Sequence, residues 1–133
     1  MKKFGPLMVL VSALFFSCAS PVKFPVSSTV PAANITVDHD MDKNKNSVIV
    51  ITASDLAAPD RLDPPRNNYS VWAVTGTGST ENLGQLLIKN GEKATLRSVT
   101  PYLVKEIFIT AEEQGNLKYP AGVEISRVQL DQP

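Results

Sequence analysis

The sequence predicts an all-β fold, a seven-stranded antiparallel sandwich. Three observations carry that expectation. From Asn34 onward, short runs rich in β-branched and aromatic residues recur at intervals of about 8–15 residues. Turn-forming residues punctuate them. No stretch of useful length shows the 3.6-residue apolar period of an amphipathic helix.

The elements follow in chain order. The chain opens Met1-Lys2-Lys3 and continues with an uncharged run from Phe4 to Phe16. That run falls short of the about 20 apolar residues that a membrane-spanning helix needs. A basic start, a short apolar stretch and a small residue before a cut make a secretory signal, assigned to residues 1–17 with Ser17 as the small residue. Cys18, the single cysteine, follows at once. A lone thiol cannot close an internal disulfide, and a free one is a hazard in an exported protein. A plain cut further along, near Ser20, would remove it altogether.

A cysteine at this junction resembles the lipobox of bacterial lipoproteins. The usual pattern has Leu three residues before the cysteine and a small residue two before; Phe15 and Phe16 stand there, with Leu14 one place earlier. The resemblance implies that Cys18 carries a diacylglycerol, that the signal is cut before it, and that the new amino terminus is acylated. Several acyl chains give stable anchoring where one does not, at about 0.8 kcal/mol per buried methylene. Ala19 and Ser20 include no acidic residue of the kind that signals inner-membrane retention in that family, so the resemblance implies the outer membrane. The membrane, through this lipid, is the first expected partner.

Removing residues 1–17 leaves 116 residues (133 − 17), enough for one domain. Basic residues fall from 13 to 11 with the loss of Lys2 and Lys3, against 13 acidic ones. This balance does not favour nucleic acid or a polybasic grip on anionic lipid. Residues 18–33 hold Pro21, Pro25 and Pro31 among small residues. Proline lacks the amide donor and fixes its own φ, so an extended tether is expected there, with the folded domain at 34–133.

The seven expected strands are "NITVDH", "SVIVITA", "NYSVWAVT", "LGQLLIK", "KATLRSV", "KEIFITAE" and "VEISRVQL". Asn90-Gly91 is a hairpin signal, because both residues tolerate the positive φ of a type I′ turn. "DKNKN" and "TGTGSTEN" read as longer polar turns, and Gln114-Gly115-Asn116 as another. "SDLAAPDRLDPPRNN" is too long for a hairpin and suits a crossing between sheets, with a helical turn at Pro59–Leu62 and with Leu56 and Leu62 closing the core. Alternation sets Tyr69, Val71 and Ala73 against Trp72 and Val74, and Ile107, Ile109 and Ala111 against Phe108 and Thr110. Strands apolar on both faces are central ones. Trp72 is expected in the core. The spacing of strands and turns suits a sandwich of immunoglobulin/fibronectin-like kind.

Residues 47–125 also resemble the carboxy-terminal, extracytoplasmic domain of anti-sigma-K factors. The shared features are Tyr69-x-Val71-Trp72-Ala73-Val74, Leu83-Gly84, Ala94-Thr95-Leu96, Ile109-Thr110-Ala111-Glu112 and Pro120-x-Gly122. In that family a spanning helix joins this domain to a cytoplasmic part that holds the sigma factor. This chain has neither, so the resemblance implies a sandwich of sensing or interaction type without a sigma-binding part.

Catalytic chemistry is not expected. His39, the single histidine, lies beside a polar turn in "VDHDMDKNKN" and reads as a surface imidazole, not as the base of a Ser-His-Asp arrangement. Asp38, Asp40, Asp42, Asn44 and Asn46 offer oxygens at alternate positions, which suits a hard cation such as calcium. An EF-hand loop would need glycine and glutamate where Lys43 and Ile49 stand, so a polar hairpin is the favoured reading. "GTGS" at 76–79 runs into a strand and not a helix, unlike a phosphate loop. Glu112 and Glu113 point to opposite faces of a regular strand. No cofactor is expected. The expected job is an interaction or sensing module of the cell envelope with an unidentified protein or envelope component as partner. The alternative is a carbohydrate-binding or accessory enzyme module, which would need either an exposed aromatic pair, with Tyr102 and Tyr119 together on one surface, or a cleft with convergent carboxylates.

Overall fold

The computed structural model describes Gly5, residues 21–88 and residues 93–131. Eight strands lie among these residues: β1 (Val22–Lys23), β2 (Asn34–Met41), β3 (Ser47–Ser54), β4 (Asn68–Thr75), β5 (Thr80–Leu86), β6 (Ala94–Thr100), β7 (Val104–Glu112) and β8 (Val123–Gln129). They form two four-stranded antiparallel sheets, ordered β1-β2-β3-β6 and β5-β4-β7-β8. Counted from β2, these are the A-B-E and C′-C-F-G orders of immunoglobulin-type sandwiches. The expected class is the observed one, with one strand more than the seven expected.

The core follows from alternation. β3 buries Ser47, Ile49, Ile51 and Ala53, and β2 turns Ile35 and Val37 inward to meet them. From the second sheet, Tyr69, Val71 and Ala73 on β4 join Ile107, Ile109 and Ala111 on β7. The β3–β4 connection crosses between the sheets through a short 3-10 turn at Pro59–Arg61. Leu56 is buried beneath it and Leu62 packs on the core edge, as expected. Tyr69 Oη donates to Ala57 O at 2.7 Å and pins this connection.

β5 lies three residues upstream of its expected place. "TGTGSTEN" is not one long turn. Gly78 takes φ 88° and its N–H donates to Thr75 O at 2.9 Å, closing the reversal within Thr75–Ser79 and letting Thr80, Glu81 and Asn82 pair with β4. An edge strand accepts such polar residues. A bulge then places Leu83 between Asn82 and Gly84, opposite Trp72 and Val71. The expected Asn90-Gly91 turn lies outside the described residues.

The boundary expected at Asn34 moves. Val22 and Lys23 pair with Val37 and Thr36, and Phe24 N–H donates to Ile35 O at 2.9 Å. Phe24 and Val30 join the core cluster. Ser126 Oγ on β8 donates to Pro25 O at 3.0 Å. Residues 22–30 thus bridge β2 of one sheet and β8 of the other and fill that open flank. On the opposite flank β5 and β6 lie side by side. The segment stays out of a sheet interior, as expected, pairing only through the two-residue edge strand β1, but its prolines do not keep its side chains out of the groove between the sheets.

This yields a direct test. Phe24→Ala should lower the unfolding free energy by about 3–5 kcal/mol, the usual cost of a buried Phe-to-Ala change. Urea denaturation followed by circular dichroism measures it; an unchanged midpoint would return the segment to the status of a free tether.

Candidate functional site: a cleft beneath the β7–β8 connection

The outer face of the second sheet is the unusual one. Direct pairing lines up Asn82, Trp72, Phe108 and Arg127 in one row across β5, β4, β7 and β8. The next row holds Gln85, Ser70, Thr110 and Glu124. A sheet face of this position ordinarily meets water, yet Trp72 and Ser70 are fully buried. Trp72 is therefore buried as expected, but on the face opposite the main core. Phe108 stacks beside it, ring centroids 6.2 Å apart. The Arg127 guanidinium lies 4.1 Å over the Phe108 ring and is paired with Glu106 and Glu124.

The cover is the ten-residue connection from β7 to β8, residues 113–122. It folds back across β4 to reach β5. Asn82 Nδ2 donates to Leu117 O at 2.9 Å, and Gly115 stands against Gln85. Its far end is held by a buried chain of hydrogen bonds. Trp72 Nε1 donates to Thr110 Oγ1 (2.8 Å), Thr110 Oγ1 donates to Glu112 Oε1 (2.7 Å), and Ala121 N–H donates to the same Glu112 oxygen (3.1 Å). Thr110 and Glu112 are two apart on β7, so alternation puts both on this face. Gly122 then passes so close to Ala111 O that a Cβ there would collide with the backbone.

Where the connection leaves β7, it opens a cleft of about 300 Å³ lined by Arg66, Glu112, Glu113, Gln114, Leu117 and Gly122. Here the expectation for the two glutamates is corrected. Glu112 ends the strand, so the rule that sends neighbours to opposite faces stops applying at Glu113, and both carboxyl groups line one cleft. Glu112 is 1% exposed, whereas Glu113 is open to solvent and pairs with Arg66 Nη1 at 3.0 Å. Arg66 Nε is buried with no hydrogen-bond partner, as is Ser70 Oγ nearby under the connection. Sequence reasoning missed Arg66 and the return of the connection. The length of that connection was the available signal, since most hairpin loops run 2–5 residues.

The other candidate positions separate from this cleft. Cys18 lies outside the described residues. Asp38 and Asp40 occupy the outer face of β2, while Asp42 caps its own turn. Its Oδ1 accepts from Asn44 N–H and Asn46 N–H, both at 2.9 Å, and these bonds, led by that of Asn46, hold its carboxyl below the usual range. The polar hairpin is thus present as β2–β3. Among the described residues no group of three His, Cys, Asp or Glu is arranged to hold a metal ion. Tyr102 and Tyr119 are both exposed, but they stand on loops that leave β7 at opposite ends, and the stacked aromatic pair is Trp72–Phe108.

His39 is not the surface residue expected. It continues the inward series Ile35, Val37, His39 on β2 and sits half-buried, opposite Ile49. Neither ring nitrogen completes a hydrogen bond of good geometry. Burial lowers its pKa, outweighing the upward pull of the Asp131 backbone and the Asp40 charge.

Compared with family models, with curated proteins and with solved structures, the chain matches none.

Two outcomes follow from this geometry. Thr110→Val keeps the shape but strands the Trp72 indole N–H and one bond to Glu112, so it should cost about 1–3 kcal/mol. Because Trp72 is the single tryptophan, its emission should shift to the red and become open to iodide quenching. For His39, the neutral form is favoured on folding. Stability should therefore hold above the ordinary value of 6.5 and decline as pH falls below it, because the unfolded chain then binds the extra proton. His39→Gln should flatten that decline in urea titrations run across the same pH range.

Proposed function

We propose that the protein is a lipid-anchored, extracytoplasmic sandwich that serves as an interaction or sensing module of the bacterial cell envelope. A diacylglycerol on Cys18 tethers it, with the outer membrane as its address, and it performs no bond-breaking chemistry of its own. The amino-terminal pattern of Lys2-Lys3, the uncharged run and Ser17-Cys18 supports the anchor. The observation that carries the reading is the seating of residues 22–30 in the sandwich. Three residues, 19–21, separate Cys18 from β1, so an anchored body would sit within about 15 Å of the lipid at an extended rise of ~3.3–3.6 Å per residue. A short leash of this kind suits a module that meets partners at the membrane surface.

The resemblance of residues 47–125 to the extracytoplasmic domain of anti-sigma-K factors agrees with sensing or interaction and rests on the quoted residues alone. The second reading, a carbohydrate-binding or accessory enzyme module, draws support from the two carboxyl groups in one cleft. Its other supporting feature, a platform of Tyr102 and Tyr119, is not met, because the two stand on loops at opposite ends of β7.

Metabolic labelling with radioactive fatty acid tests the anchor. Label should enter the wild-type protein and be absent from Cys18→Ala, which should also move from the membrane to the soluble fraction. Native protein recovered soluble with residues 1–17 intact would overturn the proposal. Crosslinking in intact cells, followed by mass spectrometry, then identifies the partner.

A further inference from the structure

The Glu112 carboxyl group has work for only one of its oxygens inside the fold. Oε1 accepts from both Thr110 Oγ1 and Ala121 N–H, whereas Oε2 receives no hydrogen bond among the described residues. Oε2 lies beside Gly122, where a Cβ would stand 2.9 Å from it, and both residues line the cleft. Residue 122 therefore leaves the approach to this oxygen open. A loop clamp alone would be served by Gln, Asn or a hydroxyl, all of which can accept two hydrogen bonds. Although the residue is only 1% exposed, Oε2 is not sealed off; it opens onto the cleft, where an incoming donor can reach it.

The rest of the cleft says which donor. Two carboxyl groups stand against one guanidinium, a formal charge of −1 that favours a monocation. Arg66 spends Nη1 on Glu113, and its Nη2 carries no hydrogen bond among the described residues, so the guanidinium still has a donor to offer an acceptor. A volume of about 300 Å³ is at the lower end of small-molecule sites. We propose that this cleft binds a small molecule carrying a primary ammonium group beside a hydrogen-bond acceptor, with the ammonium on Glu112 Oε2. Amino sugars and the free amino end of a peptide share that chemistry. The proposal names a ligand class for the sensing reading but stands on the cleft alone, so its failure would leave the anchor untouched.

Calorimetric titration of the chain, purified from cells in detergent, separates the cases. The probes are glucosamine and L-alaninamide, each paired with its neutral N-acetyl counterpart. An ammonium probe should bind and its acetylated partner should not; whichever of the two binds more tightly identifies the source. Glu112→Gln still accepts from Thr110 and Ala121, so Trp72 emission should stay unchanged while affinity falls roughly tenfold or more. Should that variant lose the connection, Glu113→Gln carries the test: it leaves the clamp intact and should weaken binding about two- to fivefold, as suits an exposed charge. No heat with either ammonium probe at millimolar concentration, or equal binding of the acetylated forms, would overturn the proposal.

Discussion

The structure depends on one constraint: β4 and β7, paired at the centre of their sheet, are apolar on both faces and must be covered twice. The other sheet covers one side through Tyr69, Val71, Ile107 and Ile109. Nothing in a two-sheet design covers the other side, where Trp72 and Phe108 stand. A tryptophan left in water on a sheet face forfeits apolar burial at roughly 25 cal/mol per Å². The chain meets that demand with Arg127 at one end of the row and the long β7–β8 connection at the other.

Covering an aromatic row with loop backbone creates a second demand, since the buried polar groups need partners. The Trp72–Thr110–Glu112–Ala121 chain answers it and ties the roof to the floor. Its last acceptor is a carboxyl group where an amide would have served. Cover, clamp and cleft are therefore one arrangement, and the charge of Glu112 is the part of it that packing does not explain.

Much of this was legible in the sequence. Alternation located β2, β3, β4, β6, β7 and β8 within a residue or two, because side-chain period is set by backbone geometry. It also held the correct place of His39: the series Ile35, Val37, His39 points inward, and the polarity of Asp38 and Asp40 obscured it. Two features were not readable. Phe24 and Val30 sit among prolines in a segment whose strand is only two residues long, yet burial needs only a groove of the right width, which belongs to the assembled sheets. The cleft joins Arg66, before β4, to Glu112 and Gly122, at the ends of β7 and β8; only register brings them together. Sequence alternation was also applied one residue too far, at Glu113, because the end of a strand is set by its partner.

The seating of residues 22–30 bears on how the molecule would carry load. Tension applied ahead of Val22 would enter at the seam between the two sheets, through the β1–β2 ladder and the Pro25–Ser126 bond, instead of at a dangling end. A body hung in this way would be pulled across its breadth, and the first thing to yield would be the plug of Phe24 and Val30. Release of that plug would lengthen the leash by about nine residues and bare the groove beneath it. Under such load the seated segment would act as a mechanical fuse.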